Sequence, residues 1–190
     1  MSDIQRNYLI TEDSITMNKF QQVYDELMRR TWTVNHAEYN LADEGWTWGY
    51  HNHKRAVGTC YFDRWNKSGC KVMISKALLE VNIDSNAKDF EDTIRHEIAH
   101  AIDYSIRRAS DHGYLWQNIA VQVGANPSPN KSTIKSVAHK WVGTCNSCGK
   151  EQKRHKLTMS ARSGACGSCC KTKNNGRFSS EFMFDWVQQF

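Results

Sequence analysis

The most informative stretch of the sequence is His96-Glu97-Ile98-Ala99-His100, near the middle of the chain. Two histidines four residues apart lie one turn apart on the same face of an α-helix, so both imidazoles can bind one Zn²⁺ ion. Glu97 directly follows the first histidine, where its carboxylate can take a proton from water activated at the metal. The pattern predicts a catalytic zinc site in which Glu97 is the general base. The plainer alternative is a solvated helical face that carries these residues by chance.

The segment around these residues has the periodicity of a helix from about Asp89 onwards. Its apolar side chains fall on one stripe: Phe90, Ile94, Ile98, Ala101 and Ile102. A zinc ion held by two histidines needs a third protein ligand, and the downstream candidates are Asp103, Asp111 and His112. Asp103 suits a residue that orients an imidazole, or a surface acid, better than a ligand. His112 can reach the metal if the helix ends near Arg108 and a turn follows.

Both helical and strand-like segments precede this helix. Apolar residues at helical spacing predict a helix from Ser14, as N-cap, to about residue 30. Three short segments at residues 46–50, 57–62 and 71–75 are rich in β-formers, and we expect three antiparallel strands there. Ser75 is expected to open a short turn or helix, and a further helix begins near residue 113. The fold class is therefore α+β.

The ordered combination of these motifs resembles the SprT-like (Spartan-related) zinc metalloproteases. Members carry an HExxH helix, followed about a dozen residues later by His-Gly and then Trp. In this chain the corresponding residues are His112-Gly113 and Trp116, and Thr93 precedes the motif as it commonly does in the family. The resemblance spans roughly residues 14–170, including the zinc ribbon that many members carry.

This resemblance implies a fold, a metal site and an activity. It implies a zincin-like protease domain with an N-terminal helix, a small antiparallel sheet and the HExxH helix. It also implies an intracellular zinc protease with His96, His100 and His112 as zinc ligands and Glu97 as general base. Family members are associated with degrading proteins on DNA, including covalent DNA–protein crosslinks. A zinc endopeptidase acting on DNA-associated proteins is therefore the expected function.

The seven cysteines indicate a second metal site. Two CxxC pairs predict a structural zinc site with four cysteine ligands, so two Zn²⁺ ions are expected, one catalytic and one structural. Its ligands are Cys145, Cys148, Cys166 and Cys169. Cys170 could replace Cys169, although Cys169 preserves the CxxC spacing. His139 and His155 are nearby alternative ligands, whereas Cys60 and Cys70 suit small buried side chains.

Charge is concentrated in the C-terminal third of the chain. Residues 1–130 carry 14 basic and 17 acidic residues, whereas residues 131–177 carry 11 basic and one acidic. This excess favours contact with nucleic acid, weakly sequence-specific and possibly single-stranded DNA; a docking surface for the protease domain is the alternative. The candidate DNA contacts are Lys150, Lys153, Arg154, Lys156, Arg162, Lys171, Lys173 and Arg177.

The two prolines, at residues 127 and 129, indicate a domain boundary. We expect a metalloprotease domain over residues 14–126 and a basic zinc-ribbon module over residues 127–190, with residues 182–190 forming a terminal strand. No apolar stretch approaches the ~20 residues that span a bilayer, and no signal-like segment is visible. We therefore expect a protein that acts inside the cell, cytoplasmic rather than nuclear, with no membrane partner, as a monomer. A non-proteolytic, zinc-dependent DNA-binding or regulatory protein is the alternative, as is a hydrolase with a non-peptide substrate.

Overall fold

Helices and short strands alternate along the first part of the chain. A computed structural model describes residues 7–12, 14–65, 69–127 and 133–190. The described chain divides into two units. The first ends at Val137 and the second begins at Ala138. The elements of the first unit are α1 (Met17–Arg29), β1 (Thr31–Val34), β2 (Ala37–Asn40), β3 (Thr47–His51), β4 (Gly58–Tyr61), β5 (Lys71–Ser75), α2 (Lys76–Asn82), α3 (Ala87–Arg107) and α4 (Tyr114–Gln122).

The observed division lies later in the chain than the predicted boundary after Asn126. Ile134 and Val137 still pack against the core of the first unit. The Lys135 backbone N–H also donates to Asn82 Oδ1 at 2.7 Å, which ties this segment to α2. Residues 128–132 of the predicted linker lie outside the described residues.

The strands of the first unit form a three-stranded sheet in the order β3-β5-β4, together with a separate hairpin of β1 and β2. The prediction of three antiparallel strands is wrong for β3, which pairs with β5 in parallel; β4 pairs with β5 antiparallel. β5 takes the central position because its Val72 and Ile74 are fully buried, whereas β3 and β4 are half exposed. β4 therefore lies at an edge of the sheet and has β5 as its neighbour there.

Helix α3 is the buried axis of the first unit. Its apolar stripe packs between α1 and the sheet, and Phe90 meets Phe20 of α1 edge to face, with ring centroids 6.2 Å apart. Thr16 caps α1 through its side chain, so the predicted cap at Ser14 is wrong by two residues. Ser75 caps α2 as expected. Arg108, in the left-handed conformation at φ 57°, ends α3.

The second unit is a small antiparallel sheet with two short helices. Its strand order is β7-β6-β8, and its core consists of cysteines with Phe182 and Phe184. The predicted terminal strand is confirmed, because β8 pairs along β6. The elements are β6 (Trp141–Cys145), β7 (Glu151–Arg154), α5 (Met159–Arg162), α6 (Gly167–Lys173) and β8 (Phe184–Gln188).

The predicted fold class is confirmed, since helices, small sheets and a four-cysteine cluster are all present. Among the helices of the described residues, none combines the length and apolar composition that crossing a bilayer requires.

Candidate metal centres and active site

Three histidines converge on one point in the first unit. His96 and His100 lie one turn apart on α3, and the loop before α4 supplies His112. The distances between their Nε2 atoms are 3.2 Å (His96–His100), 3.1 Å (His100–His112) and 3.2 Å (His96–His112). Zn–N bonds of about 2.05 Å in a tetrahedron place the nitrogens about 3.3 Å apart. The triangle therefore fits a zinc ion and leaves a fourth position open.

A hydrogen bond orients the central imidazole. The Nδ1 atom of His100 lies 2.8 Å from Ser110 Oγ, in the loop that follows α3. The Nε2 atom of His100 points toward the other two histidines. With a metal on Nε2, the Nδ1–H group would donate a hydrogen bond to Ser110 Oγ. Nothing in the sequence pattern singled out Ser110, whose role depends on the path of the loop.

Trp116 forms the base of the histidine cluster. Its ring centroid lies 4.6 Å from that of His96, 4.9 Å from that of His100 and 4.6 Å from that of His112. The indole is fully buried, and its Nε1 atom has no hydrogen-bond partner among the described residues. Trp116 of α4 thus restrains the three rings by packing alone.

Two acids considered as ligands hold the His112 loop instead. Asp103 is fully buried and accepts two hydrogen bonds from Arg107, at 2.6 and 2.5 Å. Arg107 also lies 3.4 Å from Asp111, which accepts the Gly113 backbone N–H at 2.7 Å. The donated hydrogen bond from Gly113 and the Arg107 guanidinium lower the pKa of Asp111. These contacts connect the last turn of α3 to both sides of His112.

Glu97 lies beside the histidines at a cavity of about 570 Å³. Its side chain is buried, with 7% of the residue exposed. The backbone of Gly58 approaches so closely that a Cβ atom there would lie 2.6 Å from Thr93 Cγ2 and 2.7 Å from Glu97 Oε1. The cavity is lined by Arg55, Val57, Gly58, Thr59, Cys60, Phe62, Thr93, His96, Glu97, His100, Ser110, Asp111 and His112.

Burial shifts two titrating groups at this cavity. Desolvation lowers the pKa of His100 to about 3, and the nearby His96 and His112 contribute to this shift. Desolvation also raises the pKa of the Cys60 thiol, and the Glu97 carboxylate adds to this effect. His100 is therefore neutral and ready to bind a metal at physiological pH, whereas Cys60 stays a protonated thiol. Cys70 is buried, as expected.

The four-cysteine cluster in the second unit has the spacing of a tetrahedral zinc site. Cys145 and Cys169 Sγ lie 3.9 Å apart, and Cys148 and Cys166 Sγ lie 3.8 Å apart. Zn–S bonds of about 2.3 Å place the sulfurs of a tetrahedron about 3.8 Å apart. The backbone N–H of Cys169 is the main factor that lowers the pKa of Cys166 to about 7, which favours the thiolate that binds metal.

Three other candidate ligands lie outside the cluster. Cys170 is buried next to Cys169 but is not among the four sulfurs that converge. His139 and His155 stack on each other with centroids 4.2 Å apart. The structure thus brings together the four cysteines of the two CxxC pairs.

All eight candidate DNA-contact residues of the second unit are exposed. Arg162 lies over the ring of Trp141 at 5.6 Å, and Arg154 lies over that of Trp186 at 5.9 Å. This surface therefore presents cations beside aromatic rings.

Comparison with known proteins finds a family model that covers most of the first unit. The model of the SprT-like family matches residues 17–139, about two thirds of the chain. The match includes the three histidines, Glu97, the edge strand β4 and Trp116. No curated protein sequence matches the chain significantly.

Proposed function

We propose that this chain, which belongs to the SprT-like family, is a zinc-dependent endopeptidase. The observation that carries the proposal is the triangle of Nε2 atoms, with edges of 3.1 to 3.2 Å, next to the buried Glu97 in an open cavity. His96, His100 and His112 would hold the zinc ion. When bound, zinc supplies Lewis-acid polarisation of a carbonyl group and of a water molecule.

Glu97 carries the proton transfer of the proposed reaction. Its carboxylate accepts a proton from the attacking water and returns it to the nitrogen of the departing amine as the peptide bond breaks. Packing of Gly58 and Thr93 against the side chain limits the positions that this carboxylate can take. Ser110 and Trp116 keep the imidazoles in place during the reaction.

The edge strand β4 supports a peptide as the substrate. β4 and the residues around it supply Val57, Gly58, Thr59, Cys60 and Phe62 to one wall of the cavity. Within the described residues β4 pairs with β5 on one side, so its other edge can accept an extended chain. An extended peptide that adds to this edge would place its backbone beside Glu97. This favours peptide hydrolysis over the hydrolysis of other substrates.

A cleavage assay with the zinc-loaded protein tests the proposal. Autocleavage and cleavage of a basic DNA-binding protein are followed for wild type, for Glu97→Gln and for the control Glu80→Gln, which changes an exposed helical acid. We expect cleavage by wild type and Glu80→Gln, and none by Glu97→Gln with its zinc content unchanged. Equal activity of Glu97→Gln and wild type would contradict the role of Glu97. Absence of cleavage by all three would favour the non-proteolytic DNA-binding alternative.

We further propose that the second unit brings the enzyme to DNA-associated proteins, including crosslinked ones. The support is its exposed basic residues and the two arginine–tryptophan pairs. Binding to single-stranded and duplex oligonucleotides at several salt concentrations tests this. We expect affinity to fall steeply with salt and Lys171→Glu with Lys173→Glu to weaken binding. The matched change of two exposed lysines in the first unit, Lys19→Glu with Lys76→Glu, should leave binding unchanged. Salt-independent binding, or equal effects of the two pairs, would contradict the proposal.

A further inference from the structure

Phe62 is an exposed aromatic side chain held in one position at the end of the cavity. It follows the last residue of β4, and 39% of it is exposed. Its ring stacks on Tyr104 of α3, with centroids 4.5 Å apart and an angle of 23° between the rings. Trp46 is perpendicular to both rings and lies beside the stack, with its centroid 6.3 Å from Phe62 and 6.4 Å from Tyr104. Two buried aromatic residues thus fix a ring whose free face borders the cavity.

The separation of Phe62 from the Glu97 carboxylate corresponds to the length of α3 between Glu97 and Tyr104. Gly58, at the start of β4, lies against Glu97, whereas Phe62 lies against Tyr104. Tyr104 comes seven positions after Glu97 on the helix, which corresponds to a rise of about 10 Å. An extended peptide advances about 3.3 Å per residue, so about three peptide residues cover the same distance.

We propose that Phe62 forms the wall of a subsite that selects substrates with a large apolar side chain about three residues from the cleaved bond. The inference rests on the proposed endopeptidase function and specifies its substrate class. A side chain such as Leu, Met or Phe loses water when it packs on the free face of Phe62. A charged side chain at that place loses hydration without a partner, because the ring offers only an apolar contact. Discrimination by one such apolar contact is about tenfold.

The neighbouring residue Tyr61 provides a matched control. It is also 39% exposed, but it is not among the residues that line the cavity. Its side chain therefore has the same exposure and nearly the same place in the chain, without access to the proposed subsite. Phe62→Leu provides the second comparison, since it retains an apolar contact if truncation disturbs the packing on Tyr104.

The experiment begins with a proteome-derived peptide library, cleaved by the zinc-loaded protein and analysed by mass spectrometry. Two synthetic decapeptides are then compared, which carry Leu or Asp at the position that the library identifies. We expect wild type to prefer the Leu peptide by about tenfold in kcat/KM. Phe62→Ala should bring this ratio close to one, whereas Tyr61→Ala and Phe62→Leu should keep it. Because the readout is a ratio, a partly unfolded variant lowers both rates and leaves it unchanged.

When wild type cleaves peptides, two results would overturn the subsite. One is cleavage by wild type with no apolar preference within four residues of the cut, and the other is an unchanged ratio in Phe62→Ala; the endopeptidase function survives both. If wild type cleaves nothing, the endopeptidase function fails. Binding to the zinc-loaded protein is then measured by fluorescence anisotropy for two decapeptides that differ only in carrying Leu or Asp at one central position. A preference for Leu that Phe62→Ala abolishes would support the subsite, and equal affinities would overturn it.

Discussion

Arg107 and Asp111 join the end of α3 to the loop that carries His112, the third of the converging histidines. Arg107 Nη2 lies 3.4 Å from Asp111 Oδ1, and the same oxygen accepts the backbone N–H of Gly113 at 2.7 Å. His112 lies between Asp111 and Gly113 in the chain. The loop therefore depends on a side chain that binds no metal, and its position can be changed without removing a ligand.

Asp111→Ala should weaken zinc binding at the three-histidine site. Loss of the carboxylate removes the contacts that hold Gly113 and the loop around His112. Zinc binding must then order this loop, and the free-energy cost of ordering lowers the affinity for zinc. Groups that support metal ligands typically contribute 10- to 100-fold to affinity, and we expect a loss of about tenfold. Competition with a chromophoric chelator measures the affinity. Asp84→Ala, at an exposed acid away from the histidines, should have no effect; equal losses in both variants would contradict the role of Asp111.

Gly58→Ala should reduce catalysis while both metal sites stay filled. The added Cβ would lie 2.6 Å from Thr93 Cγ2 and 2.7 Å from Glu97 Oε1, so the carboxylate must move. We expect at least about a tenfold loss of kcat, because small displacements of catalytic groups are costly. Turnover and zinc content are measured together.

The control for this prediction lies in the same sheet. A Cβ at Gly49 of β3 would meet only Met73 Cε, at 3.9 Å, so Gly49→Ala should leave kcat unchanged. Combining Gly58→Ala with Thr93→Ser removes the methyl group involved in the closest contact and should restore part of the activity. Full activity of Gly58→Ala alone would show that the close approach is not needed to position Glu97.

The convergence of His96 and His100 could be predicted from the sequence because their spacing reflects helix geometry, which local sequence determines. His96 and His100 need only one helical turn between them. Ser110 and Arg107 were not predicted, because their roles depend on how a loop returns to α3. The parallel pairing of β3 with β5 was missed for a related reason. Strand order depends on which strand buries the most apolar surface. The order of the strands along the sequence does not indicate that β5 lies between β3 and β4 in the sheet.

A buried ion pair on α3 should contribute strongly to the stability of the first unit. Arg95 and Glu91 lie 2.8 Å apart with side-chain exposures of 6% and 0%. Glu91 also accepts the backbone N–H groups of Leu9 and Ile10. Arg95→Met leaves that carboxylate buried without its cation, and we expect a loss of about 3 to 5 kcal/mol in the free energy of unfolding. Urea denaturation of the zinc-loaded protein measures it.

The pair of Arg30 and Glu26 has the same spacing and the same 2.8 Å distance but side-chain exposures of 34% and 55%, so it is the matched control. Arg30→Met should cost less than about 1 kcal/mol, because water screens the pair. Combining Arg95→Met with Glu91→Gln removes the unpaired charge and should recover part of the lost stability. Similar losses for Arg95→Met and Arg30→Met would show that burial adds nothing to the pair.

The metal-free protein should lose stability as the pH falls below 7. The pKa of His100 is lowered to about 3 by burial and by the two neighbouring histidines, whereas the unfolded chain takes up this proton near pH 6.5. Between these values the unfolded state binds more protons, so acid favours unfolding. The expected loss from pH 7 to pH 5 is about 2 kcal/mol. Urea denaturation at both values measures it. His100→Asn should remove most of this loss, and the remainder comes from His51, whose pKa is also lowered by burial. His36→Asn, at an exposed histidine, should keep the full loss.

Zinc removal should unfold the second unit, because its core consists largely of the cysteines that surround the metal position. Apart from them, Phe182 and Phe184 supply most of its buried apolar surface, which is too little to fold a unit of this size alone. Addition of a strong chelator should collapse the amide NMR dispersion of residues 138–190, and Cys169→Ser should do the same without chelator. Cys170→Ser should leave the dispersion and zinc content unchanged, since Cys170 lies outside the four converging sulfurs. Loss of zinc in Cys170→Ser with retention in Cys169→Ser would instead assign the fourth ligand to Cys170.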